Sequence, residues 1–174
     1  MQRGERLLVF GGALTGAASL LHVGIILGGP DWYRFFGAGE RMARLAARGS
    51  PHPALITAGI AIILGIWALY AFSGAGVIRH LPFLRAALVA IAAIYLGRGI
   101  LGIPLVLAVD DPYTNQLRAK MTFMIVSSAV CVVLGLCYAF GAASANRRGL
   151  TRSQRSQRSQ RSQRSQRSQR SQRS

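Results

Sequence analysis

Charge is scarce in this chain, and acidic charge scarcest of all. Only 15% of its 174 residues are charged, and just five are acids: Glu5, Asp31, Glu40, Asp110 and Asp111. A water-soluble domain carries about 25% charged residues to keep its surface wet. The charges are also segregated into the N-terminus, three short connections and the C-terminal tail, leaving long stretches with almost none. Cysteine is nearly absent. Cys131 and Cys137 stand six residues apart in one apolar run, on different faces of a helix, which argues against an internal disulfide or a metal pair. There is no HExxH, no CxxC, no phosphate-binding glycine loop, and no Ser–His–Asp set that five acids could complete. Of the three histidines only His22 lies well inside an apolar run, whereas haem ligation within a bilayer needs two on facing helices. The sequence thus offers no catalytic residue and no metal site. No cofactor is expected, and an enzyme is the lesser expectation.

Uninterrupted apolar sequence is what the chain has in quantity. A hydrocarbon layer of about 30 Å is crossed by about 20 residues at 1.5 Å each, and four runs reach that length: 7–27, 54–72, 86–107 and 121–140. The second and fourth hold no charge, and the third holds one, Arg98. Backbone groups in lipid must be hydrogen-bonded within their own segment, so each run is expected to be an α-helix. Arg3 and Arg6 before the first run suggest a signal peptide, but its apolar stretch exceeds a signal core and no A-x-A site leads to a polar start. The first run is therefore retained as a span.

The expected fold is all-α: a four-helix transmembrane bundle over 1–146, followed by a tail. Between the first two spans, residues 31–48 form a helical pattern in which Arg34, Arg41, Arg44 and Arg48 share one face and Trp32, Phe36, Ala43 and Ala46 the other. That pattern suits an interfacial amphipathic helix lying in the headgroup plane. Gly49 ends it, and Pro51 and Pro53 flank the start of the second span. From Arg152 the chain repeats RSQ seven times and ends RS, with no apolar residue to offset its ordering entropy. Residues 147–174 are expected to be disordered.

The formal net charge of +16 resembles a nucleic-acid signature, but eight tail arginines supply half of it. Contact of the tail with anionic lipid or nucleic acid follows as an expectation; the bilayer itself, a second copy or a membrane partner are the other expected partners. Lysine and arginine are enriched on the cytoplasmic side of membrane proteins. Leaving out the tail, a cytoplasmic N-terminus puts Arg3, Arg6, Arg79, Arg85, Arg147 and Arg148 inside, against Arg34, Arg41, Arg44, Arg48, Arg118 and Lys120 outside. The tail then tips the balance towards both termini in the cytoplasm.

Arg98 is the first candidate for function. A charge within a membrane helix costs several kcal/mol, and normally faces a partner or a site. With the N-terminus inside, Arg98 and His22 fall in the outer half of the bilayer. Thr15, Ser19 and His22 make one polar stripe at i, i+4, i+7, and Thr57 reaches the same layer. Glu40 is the expected acid partner, because the GAGE segment can bend inward. The candidate cluster comprises Arg98, Glu40, His22, Tyr95 and Arg34, and is expected to bind a small molecule, a lipid headgroup or a partner, or to fix helix packing. Gly12 and Gly16, and Gly97, Gly99 and Gly102, suit close helix approach.

With DWYRFFGAGERMARLAARGS, FSGAG–VIRHLPFLR and IYLGRGIL in view, the chain resembles uncharacterised small four-helix bacterial inner-membrane proteins. In its helix count and the arginine of its third span it is remotely similar to DoxX-like proteins. The likeness covers about Leu7 to Ala143. It implies a bacterial plasma membrane and, as an alternative to simple binding, a quinone-linked redox accessory. A small transporter subunit is a further alternative.

Overall fold

The computed structural model describes residues 3–109, 118 and 121–144. Among them the chain is helical throughout and contains no strand. Its helices are α1 (Arg3–Phe35), α2 (Glu40–Ala47), α3 (His52–Gly74), α4 (Leu84–Ala108) and α5 (Met121–Ser144). The RSQ tail and nearly all of the Asp110–Lys120 connection lie outside the described residues. Four helices are long and apolar enough to cross a membrane, as the sequence leads one to expect. They extend beyond the apolar runs because backbone hydrogen bonding continues through polar residues such as Arg3, Glu5 and Arg6.

The four long helices form an up-down-up-down ring. α1 runs antiparallel to α3, with Gly12 against Ala68 and Ala71, and Ser19 Oγ donating to the Ala61 carbonyl at 2.7 Å. α3 turns back into α4, and α4 packs on α5 through Gly99 and Gly135. α5 closes the ring on α1, where Gly4 meets Ser144, Leu8 covers Gly141 and Gly11 lies against Cys137. Missing side chains set these distances. A Cβ on Gly12 would stand 3.0 Å from that of Ala71, whereas at Gly16 the nearest atom is 3.8 Å away. Gly12 alone of that pair is a tight crossing point.

Burial is inverted relative to a water-soluble protein. Leu8, Leu88 and Tyr138 are fully enclosed, yet Leu27, Leu20 and Leu55 are 82%, 73% and 68% exposed. Between 22% and 33% of each span's most apolar stretch is buried. So much contiguous outward apolar surface is unsustainable in water. It matches a lipid surround.

The connection between α1 and α3 departs from the expected single helix over 31–48. At Gly29 (φ 67°) the backbone leaves helical geometry, and Pro30 restarts a turn that ends at Phe35. Trp32 then folds back over Gly24 and Gly28. Gly37 (φ 75°) and Gly39 (φ 92°) are both left-handed, which interrupts a right-handed helix, so α2 begins only at Glu40. Its faces agree with the sequence pattern: Ala43 is buried while Arg41, Arg44 and Arg48 are exposed. The apolar side packs on Ile25, Tyr33 and Phe36 of this same chain. The result is a short amphipathic helix capping one end of the bundle.

At the other end, α3 and α4 are joined by a hairpin locked by Ser73. Its hydroxyl donates to the Arg79 carbonyl at 3.0 Å and accepts from Leu81 N at 2.9 Å. Arg118 closes the far end of α4. Its guanidinium donates to the carbonyls of Val106, Leu107 and Val109, at 2.9, 2.8 and 3.2 Å. A cation there complements the negative end of the helix dipole.

Candidate functional site

Two polar features stand out among the spans, one inside the ring and one at a seam of its outer wall. The first is a hydroxyl hub joining all four spans. Tyr95 OH of α4 lies 3.3 Å from Thr15 Oγ1 of α1, Tyr138 OH of α5 lies 3.2 Å from the same atom, and Tyr138 OH lies 3.1 Å from the Trp67 carbonyl of α3. The carbonyl can only accept, so Tyr138 donates to it. Thr15 then donates to Tyr138 and accepts from Tyr95. Each hydroxyl donates once, and the chain of bonds ends on the Trp67 carbonyl. The rings of Trp67, Tyr95 and Tyr138 pack about it, Trp67 edge-on to Tyr95 and Tyr138 tilted against that same ring, with centroids 5.2 and 5.8 Å apart. Thr15 and Tyr138 are wholly buried and Tyr95 is 7% exposed. Such a closed network is a packing device.

The second feature is the seam between α4 and α5. Arg98 is exposed on the outer face of α4, just past the middle of that helix. Its guanidinium lies over Gly102 on the next turn, in the space a side chain there would fill. Ser128 Oγ of α5 approaches the same point to 3.3 Å. That hydroxyl is buried and has no hydrogen-bond partner among the described residues. Nor does any described residue give Arg98 an ion pair or hydrogen bond. A cation and an unsatisfied hydroxyl therefore adjoin one notch, midway along a helix facing hydrocarbon.

The other candidate residues are engaged elsewhere. Glu40 does not turn towards Arg98. Its carboxylate accepts from Arg34 Nε at 3.0 Å and Nη2 at 3.3 Å, while Arg34 Nη1 donates to Asp31 at 2.9 Å. The turn at Gly37 and Gly39 is the reason, because it swings Glu40 back over the end of α1. His22 Nδ1 lies 2.7 Å from the Ala18 carbonyl, an acceptor, so that nitrogen carries a proton. Tyr95 belongs to the hub. The five residues thus divide among four settings, and only Arg34 and Glu40 bond each other. Nothing local marks Ser128 or Tyr138 in the sequence. A serine in an uncharged span and a tyrosine near the end of one read as ordinary packing; their roles come from helix register.

The Arg34 hydrogen bonds hold the Glu40 carboxyl below its ordinary value. A carboxylate with a depressed folded-state pKa stabilises the fold fully above its unfolded value, about 4.3. That contribution fades as the pH falls through the folded value. Glu40→Gln is expected to lower the unfolding midpoint slightly at pH 7, with the difference closing as acid is added below pH 4. Paired pH-dependent melts of the two proteins measure it.

Four apolar spans around a buried polar hub are the architecture of a multi-pass helical membrane protein. Comparison with known proteins finds no matching family model, no matching curated protein and no matching solved structure.

Proposed function

We propose that this is a membrane-embedded binding protein that takes a lipophilic molecule, through a carboxylate or carbonyl head, at the notch formed by Arg98, Gly102 and Ser128. The observation that carries the reading is the uncompensated Arg98 guanidinium. A bare cation near the middle of a bilayer costs about 2.5–3.5 kcal/mol on insertion scales, and more for an isolated helix. An oxygen head group removes that cost by accepting from the guanidinium, and a planar carboxylate does so through two bonds. Ser128 supplies a third donor. Arg98 stands ten residues before the end of α4, about 15 Å into the layer. That depth favours a molecule with a small head over a bilayer phospholipid.

The setting belongs to the same reading. Both termini are placed in the cytoplasm of a bacterial cell, Arg98 faces the outer half of the inner membrane, and α2 lies along the outer headgroups with its arginines towards phosphate. The resemblance to DoxX-like proteins rests on the same arginine, and a quinone carbonyl is one head the notch accommodates.

The test is native mass spectrometry of protein extracted gently from its own membrane. A small lipophilic adduct is expected on the wild type and absent from Arg98→Leu and from Gly102→Leu, which keeps the charge but fills the notch. Folded yield, followed separately, should hold in at least one variant. A wild type without adduct, or normal cellular function with leucine at position 98, overturns the reading.

A further inference from the structure

At the end of the bundle that holds the chain's first residues, the outer flank of α4 carries a groove of about 730 Å³, independent of the Arg98 notch. Its rim is formed by His80, Phe83 and Arg85, and its floor rises along Ala86 and Ala90 to Ala93. The local backbone builds it. The α3–α4 hairpin, held by Ser73, carries His80 back towards the bundle, and Phe83 precedes α4 in the left-handed region (φ 52°). The Phe83 ring consequently stands clear of the protein at 86% exposure, forming one wall. Beyond the rim the lining is almost purely apolar for eight residues, about 12 Å along the helix.

We infer that this groove holds one anionic phospholipid, its acyl chain along the alanine floor and its phosphate against Arg85 and His80. Charge decides the class of occupant. Arg79, His80 and Arg85 gather at this end, and Glu5 is the one acid there among the described residues. A basic rim above an apolar trough at the membrane boundary is complementary to a phosphodiester on a hydrocarbon chain. A second copy of this chain fits less well, because a twofold contact sets one basic rim against another identical one and brings no acid from the groove to either. Guanidinium binds phosphate oxygens through paired donors, so Arg85 contributes most of the head-group preference and the trough supplies the rest.

The experiment uses the full chain in micelles doped with equal amounts of phosphatidylglycerol and phosphatidylcholine of identical acyl chains, read by native mass spectrometry. Wild type should retain phosphatidylglycerol in preference. Arg85→Gln should cut the retained ratio of the two lipids about fivefold. A charge-matched control in the tail, Arg152→Gln, should leave it unchanged. Ala90→Phe, an exposed position whose substitution spares the bundle interior, should abolish retention of both lipids. An unchanged ratio in Arg85→Gln overturns the inference. So does a dimeric species that Ala90→Phe removes, since that outcome gives the groove to a second copy.

Discussion

Tyr138→Ala is expected to be the most damaging single change in the bundle, lowering stability by about 3 kcal/mol. Truncating a buried aromatic costs about 3–5 kcal/mol in a water-soluble core. In a bilayer part of that cost disappears, because lipid tails are as apolar as the core the ring leaves. The lower end of the range applies. What remains is the cavity among helices, together with the loss of the partners of Thr15 and the Trp67 carbonyl. Tyr138→Phe separates the two contributions. It keeps the ring and removes only the hydroxyl, for which about 0.6 kcal/mol, and at most about 1.7, is the membrane precedent. Unfolding by denaturing detergent in mixed micelles measures both. Equal losses for alanine and phenylalanine would show that bonding, and not packing, holds the centre together.

The second large effect is expected at Gly99, where α4 and α5 touch backbone to backbone. A Cβ there would lie 2.9 Å from the Ser128 carbonyl and 3.0 Å from the Val132 nitrogen. Neither neighbour can rotate away, so the helices must separate. Overpacking of this kind costs about 1–3 kcal/mol. Gly99→Leu should sit at the top of that range, and Gly97→Leu, whose site meets nothing within 4 Å, near zero. Unfolding by denaturing detergent in mixed micelles should show the loss in Gly99→Leu and none in Gly97→Leu. Equal stability of the two variants would mean that the seam is elastic.

Some of this architecture is legible in the residues alone, for a simple reason. Lipid imposes the same requirement on every position of a span, so four apolar runs suffice to locate four helices. The loop between α1 and α3 is different. A helical wheel over 31–48 sorts Arg41, Arg44 and Arg48 from Ala43 correctly, because these four residues lie in α2 or directly at its end. It also treats Gly37 and Gly39 as helical, and their left-handed backbones redirect the chain. The pairing of Glu40 with Arg34 follows from the same turn. Arg34 is six residues away in sequence and becomes adjacent once the chain reverses. The hub lay beyond reach for another reason. Thr15 belongs to a visible polar stripe, but its meeting with Tyr138, 123 residues later, depends on the register of two helices that share no local signal.

The closure of α5 onto α1 carries a consequence for biogenesis. Because the first and last helices are neighbours, three spans inserted by the ribosome and translocon leave an open wall where Gly11 and Leu8 await Cys137 and Gly141. During that interval the Thr15 hydroxyl lacks its Tyr138 contact. A chain stalled before residue 121 would leave that wall open, and insertion of α5 is the step that closes it.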